Sequence, residues 1–500
     1  MIHQEPVDVV LCDQRMPGMT GVELLERARD LYPKAKRALL TAYADTGAAI
    51  DAINRAQIDY YLQKPWDPPE ERLFPTLEDL LGDWQADASL TDPEVRLVGH
   101  RFSPASHEAR DLLARNRVPY EWLDVDRDQE ARQLLDLAGV SSDRLPAVFL
   151  RDGSVLESPT PLELAGRLGF PTRAELDFYD LIIVGGGPAG LAAAVYGASE
   201  GLRTVLVERE APGGQAGQSS RIENYLGFPN GLSGADLARR AHDQARRFGA
   251  ELLAVQEVTG LEARGPQRVV TLAGGGELAG HTVLISTGVA YRRLDSPGIA
   301  ELEGRGVYYG ASVVDAEACR DQTVVVVGGA NSAGQAAVYL SRQAKRVLVL
   351  VRGPSLEASM SHYLIEQIAA IDSIEVRTRT QVAAAAGGDH LERLTLTGPD
   401  GEEELDVAAM FVFIGAAPYT DWVGEQVARD GRGFVLSGPD AAVAETHRWA
   451  LERDPFLLET TLPGVFVAGD VRHRSIKRVA SAVGEGSMSV QFIHQYLADT

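Results

Sequence analysis

Only two cysteines occur in 500 residues, Cys12 and Cys319, and they stand 307 positions apart. No Cys-x-x-Cys unit can therefore be written anywhere in the chain, which excludes a local redox disulfide and a cysteine-based metal site. Long apolar runs are also missing. The longest, such as Thr323–Val327 with its flanks, are strand-length, so no membrane partner is expected. The opening residues Met1-Ile2-His3-Gln4-Glu5 carry no basic region followed by an apolar stretch, so no secretory signal is read and a cytoplasmic location is expected. Positive charge is scarce: 48 Lys and Arg stand against 71 Asp and Glu, a formal net charge of −23. Such a balance repels nucleic acid and anionic membranes, and neither is an expected partner.

What is present is the composition of a globular α/β protein, with 45% hydrophobic residues and 50 glycines. The length exceeds what one core supports. Residues 1–66 alternate strand-like runs (Val7–Cys12, Ala38–Thr41) with amphipathic stretches. Val22, Leu25, Ala28 and Leu31 fall at helical spacing, and a second helix carries Ile50 and Ile53. A linker rich in proline and acid follows, with a helix near Leu77–Trp84. Residues 95–172 read as a small βαβ–ββα unit, with strands Val95–Val98 and Tyr120–Val125 and the run Leu145-Pro146-Ala147-Val148-Phe149-Leu150. Residues 177–500 hold two glycine-rich strand–turn–helix starts, at Gly185 and Gly328, which point to two related nucleotide-binding folds.

At the first start, the strand Tyr179–Val184 runs into Gly185-Gly186-Gly187-Pro188-Ala189-Gly190 and a helix, Leu191–Ser199. A second strand, Thr204–Val207, ends in Glu208, 18 residues past Gly190. That is close to the roughly 20 expected for an acid gripping a ribose hydroxyl. Gly185 makes the tight turn, Gly187 lets the backbone approach a pyrophosphate, and Gly190 packs helix on strand. The free N–H groups of the helix N-terminus then face the phosphates. At the second start, Thr323–Val327 leads into Gly328-Gly329-Ala330-Asn331-Ser332-Ala333, where the middle glycine of the pattern has become Ala330. A methyl group there pushes the phosphates outward and weakens binding by roughly 1–2 kcal/mol. After Val347–Val351 stands Arg352, where an NAD enzyme often places an acid. A guanidinium suits the 2′-phosphate of NADPH, with His362 as a second contact, unless Arg352 is simply a solvated charge.

Residues 178–500 resemble the low-molecular-weight thioredoxin reductases, whose motifs recur here in order. Gly213-Gly214-Gln215 and Ile222-Glu223-Asn224-Tyr225 resemble the segment along the flavin ring. Ser286-Thr287-Gly288 resembles the family's ATG turn and Gly415-Ala416-Ala417-Pro418 its later loop. Val467-Ala468-Gly469-Asp470 resembles the segment whose Asp holds the ribityl chain of FAD. Where the family has Arg-Gln-Ala at the isoalloxazine, this chain has Lys477, Arg478 and Val479, and more cationic charge there would favour reduced, anionic flavin. The resemblance implies FAD as cofactor, NADPH at a weakened site, a homodimer formed through the FAD domain, and a nicotinamide domain that rotates against it. It also identifies a loss. In place of the family's Cys-Ala-Thr-Cys the chain reads Tyr309-Gly310-Ala311-Ser312-Val313-Val314-Asp315, with Gly310 and Val313 at the cysteine positions and the following acid displaced to Asp315. Cys319 is read as a small filler.

Two further resemblances complete the chain. The loop Ser103-Pro104-Ala105-Ser106 is similar to the Cys-Pro-x-Cys of a glutaredoxin, and Pro146 matches the cis-proline that faces that loop. The unit keeps the scaffold without the redox couple and serves docking or spacing. Residues 7–66 resemble the second half of a response-regulator receiver. Asp13 with Met16-Pro17-Gly18 matches the phosphoacceptor strand and loop, and Thr41-Ala42, Tyr61 and Lys64-Pro65 match its switch residues. The first strand, with the paired acids that hold Mg²⁺, is missing from the sequence, so phosphoryl transfer to Asp13 lacks its charge neutralisation.

The expected fold class is α/β: two Rossmann-like dinucleotide-binding domains preceded by a thioredoxin-fold module and a partial flavodoxin-like receiver. The domains run 1–90 (receiver and linker), 95–172 (glutaredoxin-like), 177–297 (FAD, first part), 298–415 (NAD(P)) and 416–500 (FAD, second part). The implied function is an FAD-dependent NAD(P)H oxidoreductase with an acceptor other than a protein disulfide, and a protein partner met through the N-terminal modules. The contrasting reading is a flavin-holding sensor with little turnover. Because disulfide exchange starts from a thiolate, steady-state assays with thioredoxin or an aromatic disulfide reagent are expected to show no turnover at rates typical of these enzymes. Robust turnover surviving replacement of both Cys12 and Cys319 would overturn this.

Overall fold

The apolar runs of the second half become strands whose side chains alternate between two buried faces. The computed structural model describes residues 7–33, 35–41, 58–64, 68–70, 73–74, 76–77, 80–81, 95–219, 221–229, 231–310, 319–444, 447 and 449–499. They fall into two units, Met1–Arg96 with Val118–Glu121, and Leu97–Arg117 with Trp122–Thr500.

In the first unit, Val9–Asp13, Lys36–Thr41 and Tyr60–Gln63 form a parallel sheet in that order. The helix Gly21–Leu31 starts at Thr20, whose hydroxyl accepts the Glu23 N–H at 3.3 Å while Glu23 accepts the Thr20 N–H at 2.9 Å. This reciprocal cap satisfies two of the helix's orphan donors. Val22, Leu25 and Ala28 are buried, but Leu31 is 65% exposed, so the apolar stripe stops one turn earlier than its spacing predicts. The last turn of a helix projects past the sheet edge, and the 3.6-residue period carries no information about where that edge lies. The helix expected around Ile50 and Ile53 lies outside the described residues, as does most of the one expected near Leu77–Trp84.

In the second unit, the larger sheet has the order Glu251–Leu253, Thr204–Val207, Phe178–Val184, Glu277–Ile285, Gln267–Leu272, Val258–Arg264, with Val465–Val467 pairing in parallel to the end of Glu277–Ile285. Leu181 and Ile183 pack with Ala189, Leu191, Val490 and Ile493 of the helices Pro188–Ser199 and Val479–Asp499. Ile182 and Val184 turn to the opposite face, against Leu261, Val270 and Trp422. Each such aliphatic side chain, fully buried, contributes roughly 1.5–3 kcal/mol. The two helices approach to backbone contact: a Cβ on Gly486 would collide with the carbonyl oxygen of Ala189.

The smaller parallel sheet runs Val307–Tyr309, Ala409–Val412, Thr323–Val327, Arg346–Val351, Ile374–Thr378. Val324, Val326, Val347 and Val349 face the helices Asn331–Leu340 and His362–Ala369. Val325, Val327, Leu348 and Leu350 face the antiparallel sheet Gln381–Ala386, Arg393–Gly398, Gly401–Asp406. An antiparallel ribbon, Val289–Tyr291 with Ala416–Pro418, carries the chain between the two sheets in both directions.

Segment 95–172 forms a four-stranded sheet in the order Tyr120–Asp124, Val95–Gly99, Ala147–Leu150, Val155–Glu157, with helices Pro104–Arg115, Gln129–Ala138 and Pro161–Arg167. The Leu145–Pro146 bond is cis. Ser103 caps the first helix, its hydroxyl accepting the Ser106 N–H at 3.4 Å, whereas the fully buried Ser106 hydroxyl has no hydrogen-bond partner among the described residues. Among the described residues no helix is long and apolar enough to cross a membrane.

The approach to Val465–Val467 is held by one buried carboxylate. Glu459 is fully buried and accepts from Arg453 at 2.7 and 3.0 Å, from Phe456 N–H at 3.0 Å and from Gly464 N–H at 3.1 Å. Removing one member of such a pair strands the other charge. Glu459→Ala is expected to lower stability by about 3 kcal/mol, read as a drop in the urea midpoint. An unchanged midpoint would show that Arg453 finds other compensation.

Candidate functional site

The first glycine turn is closed by backbone geometry. Gly185 has φ +104°, and a Cβ there would lie 2.5 Å from the Ser286 carbonyl oxygen. A Cβ on Gly190 would collide with the carbonyl oxygen of Gly185. Gly187, between them, differs: a Cβ there would meet no protein atom within 4 Å. Space beside Gly187 is thus left open while both flanking glycines are packed, and the helix Pro188–Ser199 begins there without a side-chain cap. These residues fit a dinucleotide pyrophosphate held on helix N–H groups.

Several of the other predicted residues touch this turn or its helix, and others do not. Glu208 accepts the Gly186 N–H at 2.6 Å and the Glu210 N–H at 2.8 Å. Burial pushes its carboxyl above the usual carboxylate range, against the pull of those two donors. Gly213 N–H donates to Gly186 O at 2.7 Å, a Cβ on Gly214 would lie 3.3 Å from Gly187 Cα, and Gln215 Nε2 donates to Val289 O at 2.7 Å. The Ser286 hydroxyl donates to Val184 O and Gly185 O at 3.0 and 2.9 Å, and Thr287 donates to Tyr419 O at 2.8 Å. Gly288 follows with φ +63°. Gly469 packs on the same helix, where an added Cβ would lie 3.1 Å from Ala189 Cβ. Burial, with Glu485 nearby, raises the Asp470 carboxyl above its usual range, and Lys477 opposes this. Lys477 donates to Asp470 O at 2.8 Å and lies 4.7 Å over the Phe434 ring. Arg478 is exposed, and Val479 opens the last helix. Asn224 is exposed, and among the described residues its side chain makes no hydrogen bond to this cluster. One supporting pair escaped the motif reading: Glu485 accepts the Gly469 N–H at 2.8 Å and an Arg472 guanidinium N–H at 2.6 Å, fixing the Gly469-Asp470 turn. Its only sequence signal is a lone charged residue within the first four turns of the last helix.

The second turn repeats the plan with one change. Gly328 has φ +146°, and a Cβ there would lie 2.5 Å from Phe413 O. Ser359 donates to Gly329 O at 2.7 Å, and Ser361 N–H donates to Asn331 Oδ1 at 2.7 Å, folding segment 353–361 over the turn. Ala330 is exposed at the N-cap with φ −103°, Ser332 is exposed, and Ala333 is buried against the sheet. Arg352 is exposed and unpaired among the described residues, whereas Arg346 and Arg377 of the same sheet are matched by Glu375 and Glu403. Sequence reasoning missed Arg379, also exposed, whose N–H donates to Gly353 O at 2.9 Å beside Arg352. His362 is exposed, its Nδ1 3.5 Å from Glu366 Oε1.

Gly310, one of the two positions expected to stand in place of a cysteine, has φ +98°, and a Cβ there would lie 3.1 Å from Tyr291 Cε2. Such a backbone favours glycine. Val313 and Asp315 lie outside the described residues. Cys319 is 2% exposed within the core beneath Thr323–Val327. In the first unit, Lys64 Nζ donates to Asp13 Oδ2 and holds its carboxyl below the usual range. Cys12 beside it is buried, which pushes its thiol up to about 11.

The family model for pyridine nucleotide-disulphide oxidoreductases matches residues 179–486, and that for the response regulator receiver domain matches residues 1–73. The thioredoxin reductase of Bacillus subtilis (strain 168) is 33% identical over 335 residues, covering 65% of this chain and 97% of that one. That of Listeria monocytogenes is 30% identical over 331 residues, covering 65% and 96%. The crystal structure of Lactococcus lactis thioredoxin reductase superposes with a TM-score of 0.56 at 26% identity, over 64% of this chain and 100% of that one. The T. acidophilum enzyme gives 0.55 at 25% identity, over 64% and 99%. With both turns built in this order and matched along their whole length, the chain belongs to the pyridine nucleotide-disulphide oxidoreductase family, as an FAD- and NADPH-dependent enzyme of the thioredoxin reductase type behind a receiver domain.

Proposed function

We propose that this enzyme passes electrons from NADPH through FAD to an acceptor other than a protein disulfide: a quinone, a ferredoxin-like carrier, oxygen or a small molecule. The observation that carries this reading is Gly310, which stands at a redox-cysteine position in a left-handed backbone against Tyr291. The two cysteines of the chain are both buried, which supports this reading. Bound FAD supplies the hydride-accepting and electron-releasing chemistry. The chain's residues position it: the Gly187 opening takes the pyrophosphate, Glu208 the ribose, and Asp470 the ribityl chain. Lys477 and Arg478 add positive charge at the ring. Segment 95–172 is read as a glutaredoxin-like module that docks and does not react, since Ser103 and Ser106 occupy its thiol positions. The chain is proposed to act in the cytoplasm as a homodimer, and its N-terminal modules meet a protein partner.

NADPH is the preferred donor in this reading, because Arg352 offers an unmatched guanidinium at the edge where a 2′-phosphate would lie. Ala330 weakens the site: it occupies the place that Gly187 holds in the first turn, where a Cβ points into open space and thus toward ligand. Anaerobic flavin bleaching by NADPH and NADH tests both claims. Ala330→Gly is expected to tighten both nucleotides about tenfold, and Arg352→Ala to erase the preference for NADPH. If neither nucleotide bleaches the flavin in the wild type or in Ala330→Gly, the chain is a flavin-holding sensor instead. For the receiver, intact mass after treatment with acetyl phosphate and Mg²⁺ is expected to stay unchanged. A gain of one phosphoryl group, lost in Asp13→Asn, would reverse that reading.

A further inference from the structure

We propose that the helix Pro104–Arg115 is an internal clamp that holds the two dinucleotide-binding domains in one setting about their connecting ribbon. The ribbon, Val289–Tyr291 with Ala416–Pro418, is the covalent link between the larger and the smaller sheet, and two short strands alone do not resist rotation. The helix spans the same gap without being part of either sheet. At its N-terminal end it engages the NAD(P) domain. Phe102 stacks on His390, with ring centroids 4.4 Å apart and planes at 14°. His107 lies 5.0 Å from the Tyr308 ring. Pro104 sits over Gly304, where an added Cβ would lie 3.5 Å from the proline Cβ. At its C-terminal end it engages the FAD domain. Arg115 pairs with Glu210, Asn116 Nδ2 donates to Glu210 O at 3.2 Å, and Arg117 pairs with Asp236 at 3.0 Å.

A helix of 12 residues is about 18 Å long and keeps that length. With each end fixed to a different domain, rotation about the ribbon must break one set of contacts. The two ends differ in kind. The NAD(P) end is aromatic packing, insensitive to ionic strength. The FAD end is ionic and partly exposed, so it is the weaker end and the one that salt releases. Glu210 also donates its N–H to Glu208 at 2.8 Å, so the clamp is seated one hydrogen bond from the ribose acid. The face that a redox module would offer to a substrate, the loop 102–106, is here turned inward onto the NAD(P) domain.

The scarcity of cysteine makes the test clean. Nitroxide labels on Gln267→Cys in the FAD domain and Glu402→Cys in the NAD(P) domain of the full FAD-loaded chain report the interdomain distance, while Cys12 and Cys319 are buried. The expected distribution is single and narrow. Arg115→Glu with Arg117→Glu is expected to broaden it about twofold, and 1 M salt to do the same to the unmutated clamp. In the Arg117→Glu background, Asp236→Arg is expected to narrow it again, a rescue that general destabilisation would not give. Phe102→Ala acts from the other end and covers the case in which charge reversal prevents folding, which flavin absorbance will reveal. A distribution already broad with the clamp intact, or one that none of these changes widens, would falsify the proposal.

Discussion

Backbone meets backbone on both sides of the helix Pro188–Ser199, and the cofactor site depends on that close approach. Gly190 lies on the turn at Gly185, and Gly486 lies on Ala189, each at a distance that excludes a side-chain carbon. Glycine here supplies proximity and not flexibility. With the helix pinned between the strand Phe178–Val184 and the helix Val479–Asp499, its uncapped N-terminus has one position, and the segments bearing Glu208, Ser286 and Gly469 are built onto that position. The two ends of the FAD domain, separated by the whole NAD(P) domain in sequence, are joined at this contact.

How much of this was legible in advance follows from the range of each signal. The glycine turns and Glu208 were legible because strand, turn, helix and second strand are local, and their spacing reflects geometry within some 30 residues. The alternation of the long valine and leucine runs identified buried strands but not which face met which layer. Leu31 shows the limit of periodicity, since a repeat locates a stripe without locating the end of the surface it packs on. Glu485, Arg379 and the stacking of Phe102 on His390 join residues far apart in sequence or on different elements. No repeat or motif encodes such pairs, which exist only once the sheets have been laid down.

The two segments read as lacking redox thiols are packed differently. Ser103 caps a helix, whereas Ser106 buries a hydroxyl that nothing among the described residues satisfies. A thiol is the better occupant of such a pocket, since sulfur tolerates the absence of a hydrogen bond where oxygen is penalised by about 1–3 kcal/mol. That the helix nonetheless stays in place agrees with its value lying in what its two ends touch.

Gly310 is packed in the opposite way. Its backbone lies in a region that side chains avoid, and an added Cβ would lie 3.1 Å from the Tyr291 ring. A single codon change to cysteine would place the sulfur on a strained backbone and against a ring. Building a cysteine pair at this place would require the turn, the tyrosine and a second position to change together. A left-handed glycine packed against a ring is thus a one-way constraint: any single side chain added there meets backbone strain and a crowded neighbour at once.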